Sequence, residues 1–243
     1  MIPVAEIFGP TIQGEGPNTG LKTLFVRVVG CDFKCEWCDS KFAWKVDENT
    51  KTYTPEELTK ILLFECKHSN TANVVLTGGN PCLYDFSKVI EQLHDAGISI
   101  DIETQGSKLP DWVYKVDTLV ISPKAPSSKQ IDVYENVYNF LANEEKVPIN
   151  FNVAIKIPIF TEEDFEFASK YYDMINDLIW NTNINAKLYL NVGNTNTNEP
   201  GDISKRVLLD YEQLINKTMQ SGMKRVYVMP QIHTLVYGNK QAV

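Results

Sequence analysis

Three cysteines, Cys31, Cys35 and Cys38, stand as C-x3-C-x2-C directly after the apolar run from Leu24 to Gly30. That run reads as a buried strand, so the thiols fall at a strand's C-terminal end. Three thiolates placed there can hold three irons of a cubane [4Fe-4S] cluster and leave the fourth iron open to a ligand. A zinc site, a redox Cys-x-x-Cys pair or three buried thiols are the competing chemistries. Zinc wants a fourth ligand, and Cys66, Cys82, His68, His94 and His233 offer none at standard spacing. A redox pair would not need Cys31. Phe33 and Trp37 suit an apolar shell around a cluster and suit a core loop equally well. The spacing favours the cluster without closing the other possibilities.

The elements that must position these thiols alternate along the chain. Short apolar, β-branched runs are expected as strands at Val4 to Phe8, Leu24 to Val29, Val74 to Leu76, Ile98 to Glu103, Thr118 to Ser122, Phe151 to Ile157, Lys187 to Asn191 and Arg225 to Met229. Helical patterns separate them, which predicts an α/β fold with a mostly parallel sheet. Thr54-Pro55-Glu56-Glu57 is a capping box that opens a helix to about Ser69, and Thr161 to Asp164 opens another in a similar way. Further helices are predicted from Asp85 to Ala96 closed by Gly97, from Asp132 to Leu141, and from Ile203 to Gln220 closed by Gly222. The asparagine-rich stretch from Asn191 to Gly201 is expected as a polar loop, not a domain linker, so residues 1–243 form a single domain. Phe165, Phe167, Tyr171, Tyr172, Ile175, Leu178 and Ile179 recur at helical spacing and predict a core or dimer face. Cys66 and Cys82 are expected as buried or half-buried thiols.

In a parallel sheet, ligands gather at the strand C-termini whether the sheet closes as a barrel or stays open. Those ends carry Thr77-Gly78-Gly79-Asn80-Pro81, Glu103-Thr104-Gln105-Gly106, Ser122-Pro123-Lys124 and Met229-Pro230-Gln231-Ile232-His233. Composition narrows the partners. A formal net charge of -8, with the only dense basic cluster a short one, argues against nucleic acid. No stretch approaches a membrane-spanning length, and no basic segment precedes an apolar signal core. Five cysteines, three of them in one triplet, look like ligands in a reducing compartment, so a cytoplasmic protein is expected.

The triplet resembles the radical S-adenosylmethionine superfamily, whose cofactor chelates the open iron through its amino and carboxylate groups and is cleaved to a 5′-deoxyadenosyl radical. The segment Glu6-Ile7-Phe8-Gly9-Pro10-Thr11-Ile12-Gln13-Gly14-Glu15-Gly16-Pro17, with Phe25-Val26-Arg27 and Cys38-Asp39-Ser40, is similar to the 7-carboxy-7-deazaguanine synthase family of 7-deazapurine (queuosine) biosynthesis. That resemblance implies a partial, modified (β/α) barrel and a lyase. It also implies conversion of 6-carboxy-5,6,7,8-tetrahydropterin to 7-carboxy-7-deazaguanine with loss of ammonia. A homodimer, Mg2+ and a flavodoxin- or ferredoxin-type reductant follow from the same resemblance. The radical takes a hydrogen from the pterin, so no protein side chain is expected as a catalyst. An activating enzyme that acts on a protein partner is the alternative, and its usual extra cluster cysteines are lacking. A zinc-dependent structural protein would show no iron-sulfur absorbance.

The resemblance also implies roles for residues. Ile12, Gln13, Gly14 and Glu15 form a loop that can read a pterin edge by hydrogen bonds. Arg27, charged inside an apolar strand, needs a partner, either a substrate carboxylate or a structural ion pair. Thr77 matches a position near the substrate, and His233 lies near the same mouth. Trp37, Cys38 and Asp39 match positions beside the adenine and the cluster, and Ser40 matches a Mg2+ ligand that is usually threonine. Gly79 and Asn80 resemble the superfamily's Gly-Gly-Glu-Pro element for the methionyl amino group, with Asn80 in place of glutamate. An amide oxygen can accept from an ammonium, and a tight turn is the bland alternative. Glu103, Ser122, Pro123 and Lys124 are expected at the cofactor's ribose and carboxylate.

Overall fold

The computed structural model describes residues 1–240 apart from 49, 182, 183, 195, 197, 198 and 200. Among these, nine strands form one sheet in the order β3-β1-β2-β4-β5-β6-β7-β8-β9. The strands are β1 (Ile2–Ile12), β2 (Lys22–Val28), β3 (Lys51–Tyr53), β4 (Asn73–Gly78), β5 (Ser99–Thr104), β6 (Thr118–Ile121), β7 (Asn152–Ile159), β8 (Asn185–Val192) and β9 (Val226–Met229). β1 runs antiparallel to β2 and β3, and every pairing from β2 to β9 is parallel. The helices are α1 (Pro55–Ser69), α2 (Ser87–Asp95), α3 (Tyr134–Leu141), α4 (Glu162–Asn181), α5 (Ser204–Gln220) and α6 (Ile232–Tyr237). The sheet is a partial barrel: β9 at one edge does not pair back to β3 at the other.

Strand alternation divides the sheet chemically, because successive side chains point to opposite faces. One face carries Val26, Val28, Leu76, Ile100, Ile102 and Leu119, which join Leu58, Leu62, Ile90 and Tyr171 of the helices in the main core. The other face carries Arg27, Thr77, Glu103 and Lys156, next to a small apolar patch of Val120, Ala154 and Tyr189. Helices therefore pack on the apolar side of the sheet, and the polar side is left to carry the candidate site.

The capping chemistry forms as expected at α1. Thr54 Oγ1 accepts from the Glu57 amide (3.2 Å), and the Glu57 carboxylate accepts from the Thr54 amide (2.8 Å). Asp164 closes the start of α4 by accepting from the amides of Phe160 and Thr161, at 3.0 and 3.1 Å. Gly97 sits at φ +74° after α2, a left-handed position that suits glycine. Gly222 does not play that part for α5. The helix ends when Ser221 turns extended and its hydroxyl donates to the Thr218 carbonyl at 2.7 Å. The three-residue β3 and the six-residue α6 carry too little periodicity to be found from sequence.

Phe165, Tyr171, Ile175 and Leu178 of α4 are buried in the core, whereas Ile179 is exposed. Cys66 and Cys82 are both buried, as expected. Of the asparagine-rich stretch, Asn191 and Val192 end β8, and residues 195, 197, 198 and 200 lie outside the described residues.

Candidate active site

The segment between β1 and β2 folds back over the polar face of the sheet. The Gln13 amide donates to the Leu21 carbonyl and the Gly20 amide to the Gln13 carbonyl, each at 2.8 Å. Asn18 Nδ2 donates to Asp101 Oδ2 at 2.8 Å, which anchors the loop to β5. Gln13 and Glu15 thereby come against the polar face and form the floor of the candidate site, in contact with Glu103 and Lys156.

Glu103 is the hub of that floor. Its Oε1 accepts from Gln13 Nε2 (3.1 Å), its Oε2 accepts from Thr77 Oγ1 (2.9 Å), and Lys156 Nζ stands 3.5 Å away. Lys156 also donates to Glu15, whose other oxygen accepts from Gln231 Nε2. Burial alone would raise the Glu15 carboxyl, but Lys156 and His233 outweigh it and hold the pKa at about 2. Burial likewise works against the Lys156 ammonium, yet Glu103 and Glu15 push its pKa upward. Glu103 was expected beside the cofactor ribose, and the structure gathers it with Gln13 and Thr77. Lys156 and Gln231 were missed. A lysine inside the apolar strand Phe151 to Ile157 carried the same signal that singled out Arg27.

Gly14 and His233 meet at this floor. The Ile232 amide donates to the Gly14 carbonyl at 3.1 Å, and a Cβ on Gly14 would lie 2.2 Å from His233 Nδ1. A side chain at 14 would expel the imidazole. Ile12 pairs with Lys22 at the end of β1, one residue before the floor.

Arg27 has a structural partner: Nε is 2.7 Å from Glu6 Oε1, and Nη1 donates to Ser40 Oγ at 3.0 Å. Its guanidinium lies 5.3 Å from the Phe8 ring centre. Nη2 has no partner among the described residues, so the ion pair does not exhaust the fork. Ser40 in turn donates to Asp39 Oδ1 at 2.9 Å.

The thiol loop leaves the end of β2 and is held from both sides. The Gly30 amide donates to the Ala43 carbonyl (2.8 Å) and the Cys31 amide to the Trp44 carbonyl (3.1 Å). From the facing strand, the Asn80 amide donates to the Gly30 carbonyl at 2.7 Å. A Cβ on Gly79 would lie 2.0 Å from that same carbonyl, so backbone-to-backbone packing alone demands glycine there. Asn80 itself is fully buried, and its amide oxygen already accepts from the Cys82 amide (3.1 Å) and Thr104 Oγ1 (2.9 Å). The acceptor offered in sequence to an ammonium is therefore filled.

Trp37, Ser122, Pro123 and Lys124 assemble beside the thiols. Trp37 Nε1 donates to Ser127 Oγ at 3.0 Å and its ring packs on Phe160 at 4.7 Å. Lys124 Nζ donates to Ser122 Oγ (3.0 Å) and lies 5.6 Å from the Trp37 ring centre. Burial raises all three thiol pKa values, that of Cys35 to about 11, while Lys124 pulls in the opposite direction. Thiols in that state bind metal as thiolates and release their protons to solvent as they do so. Among the described residues no three His, Cys, Asp or Glu side chains converge on one ion-sized point. A cubane is held at three separate corners, so its thiolates need not meet on one ion-sized point. Three thiols with an apolar neighbour and a lysine fit a [4Fe-4S] cluster and its cofactor.

Fold and thiolate loop together define a radical S-adenosylmethionine enzyme, and the Radical SAM superfamily model matches residues 25–166. The 7-carboxy-7-deazaguanine synthase of Bacillus subtilis is 38% identical over all of this chain and 98% of its own length. That of Bacillus cereus is 37% identical over all of this chain and 99% of its own. The chain belongs to the 7-carboxy-7-deazaguanine synthase family, and is a radical S-adenosylmethionine lyase that uses a [4Fe-4S] cluster. The fold agrees with the crystal structure of QueE from Escherichia coli (TM-score 0.64, 22% identity, 96% of this chain and 94% of that one). A Streptococcus suis SuiB structure bound to its precursor peptide SuiA shares the fold at a TM-score of 0.57 and 13% identity, over 85% of this chain and 48% of that one. No helix among the described residues is long and apolar enough to cross a membrane.

Proposed function

We propose that the chain converts 6-carboxy-5,6,7,8-tetrahydropterin to 7-carboxy-7-deazaguanine with loss of ammonia, in queuosine biosynthesis. The observation that carries this reading is the spacing of opposite charges on the polar face. Arg27 on β2 lies two strand spacings, about 10 Å, from Glu103 on β5. A bicyclic pterin with a carboxylate at one end and an amino-pyrimidine edge at the other suits that span. Arg27 Nη1 and Nη2 take the carboxylate in a fork, and Thr77 stands between the two ends. Glu15 and Glu103, which share Lys156 as their cation, accept from the N–H groups of the pyrimidine edge. Gln13 and the floor loop exclude water from the underside.

When bound, the cluster and S-adenosylmethionine supply a 5′-deoxyadenosyl radical that removes a hydrogen from the substrate carbon. Cys31, Cys35 and Cys38 hold the cluster, and Trp37, Asp39, Gly79, Ser122, Pro123 and Lys124 line the cofactor's place. Ser40 and Asp39 offer two adjacent hard oxygens that suit Mg2+. A substrate carboxylate competes with Ser40 for Arg27, and the hydroxyl released in this way becomes free for the ion. A homodimer, a flavodoxin- or ferredoxin-type reductant, a single-domain organisation and a cytoplasmic location belong to the same proposal. Anaerobic turnover of the carboxy-tetrahydropterin, followed by mass spectrometry of the product, tests it. Formation of 5′-deoxyadenosine without the deazaguanine product would refute it.

A further inference from the structure

Asn80 has no polar atom left for a ligand. Besides the two donors on its oxygen, its amide nitrogen donates to Asp32 Oδ1 (3.0 Å) and Ser107 Oγ (3.1 Å). An amide has two donors and two acceptor lone pairs, and all four are used. Asp32 differs. Its Oδ1 accepts from Asn80 and from Gln105 Nε2 (2.6 Å), but Oδ2 accepts only from Ser107 Oγ (2.6 Å). A carboxylate offers about four acceptor sites, so one on Oδ2 stays open. All three donors are neutral. No Lys, Arg or His nitrogen among the described residues comes within the 4.0 Å of an ion pair with it. The carboxylate is exposed, fixed in direction by three hydrogen bonds, and belongs to the residue after the first cluster ligand.

We propose that Asp32 is the anionic acceptor for the amino group of S-adenosylmethionine, with Asn80 as the positioning residue that aims it. The cofactor brings N–H donors to an open iron, and an uncompensated carboxylate beside the loop that holds that iron is their natural partner. Asn80 supplies no charge of its own. It ties Asp32 to the end of β5 through Thr104 and Ser107, so that the charge comes from the cluster loop and the orientation from the sheet. The inference rests on the cofactor of the family and is independent of the pterin, so failed turnover with that substrate leaves it standing.

The competing role for Asp32 is a plain staple between the cluster loop and β5, and binding measurements on the reconstituted [4Fe-4S] enzyme separate the two. Equilibrium dialysis with S-adenosylmethionine is run anaerobically beside the electron paramagnetic resonance signal of the reduced cluster with and without cofactor. Asp32→Asn should keep its iron content and weaken cofactor binding about tenfold or more, the scale of a hydrogen bond to a charged group. The cofactor-induced change in the cluster signal should then require correspondingly more cofactor. Ser107→Ala removes the hydrogen bond to Asp32 Oδ2 and the two that Ser107 Oγ accepts from Asn80 and Gln105, but no charge, and should stay within about threefold of the wild type. An analogue with a hydroxyl in place of the amino group should bind wild type and Asp32→Asn with closer affinities than the cofactor does. If Asp32→Asn does not take up the cluster, Asp32→Glu and Asp32→Gln give the same comparison, and only the glutamate should favour the amino cofactor over the hydroxy analogue. Unchanged binding in Asp32→Asn, equal weakening in Ser107→Ala, or an equal penalty for the analogue would overturn the assignment.

Discussion

Replacing Lys156 with methionine would expose what holds the floor of the site in one piece. Lys156 is the shared cation of Glu15 and Glu103, and the side chains of Lys156 and Glu15 are only 11% and 12% exposed. Lowering a carboxyl from the ordinary 4.5 to about 2 corresponds to about 3 kcal/mol. Breaking a buried pair by removing one partner costs about 3–5 kcal/mol, in agreement. Both figures describe the same interaction and are not summed. The sign of the pH dependence follows. In the wild type, the Glu15 contribution is complete above its unfolded value, so stability is flat from pH 8 to 5 as far as this group is concerned. Without Lys156, burial, the largest influence on Glu15, is opposed only by His233 and the Gln231 hydrogen bond, and the folded-state pKa is expected above the unfolded one. The variant should therefore lose about 3 kcal/mol at pH 8 and recover part of it as the pH falls and the carboxyl takes up a proton. Anaerobic urea unfolding of the cluster-loaded protein at pH 8, 6.5 and 5 measures this. A loss below about 1 kcal/mol, the range of an exposed pair, or a loss that does not change with pH, would refute the reasoning.

The remaining predictions concern the chemistry above that floor. Cys31→Ala, Cys35→Ala and Cys38→Ala should each abolish iron loading, because three thiolates are the whole protein ligand set; Cys66→Ala and Cys82→Ala should load normally, as iron analysis will report. Arg27→Lys keeps the charge but loses the fork, and should depress pterin turnover at least tenfold, the scale of a charge-assisted hydrogen bond, while reductive cleavage of the cofactor persists. Loss of both together would assign Arg27 to its ion pair with Glu6 alone. Ser40→Ala should retain the cluster and lose Mg2+ stimulation of product formation, and Ser40→Thr should retain both; full stimulation in the alanine variant would remove Ser40 from the metal site.

Much of this protein is legible in one dimension because its signals are local. Cys31, Cys35 and Cys38 lie within eight residues after a strand, so their convergence needs only one loop to turn. The capping box at Thr54 and the left-handed Gly97 are likewise closed by neighbours in sequence. The strand-helix alternation and the parallel sheet follow from the same short-range periodicities. What tertiary structure alone decided is which polar groups face one another. Glu15 and Lys156 are 141 positions apart, and Gln13 and Glu103 are 90 apart. Only the return of the β1–β2 loop across the polar face brings them into contact. Asn80 shows the difference most sharply. Its type and place after two glycines suggested an amide turned toward a ligand, yet the fold saturates that amide with Cys82, Thr104, Ser107 and Asp32. Hydrogen-bond capacity is finite and is shared out in space, so sequence can say what a side chain is able to donate or accept, but only the packed chain decides which atoms remain for a ligand.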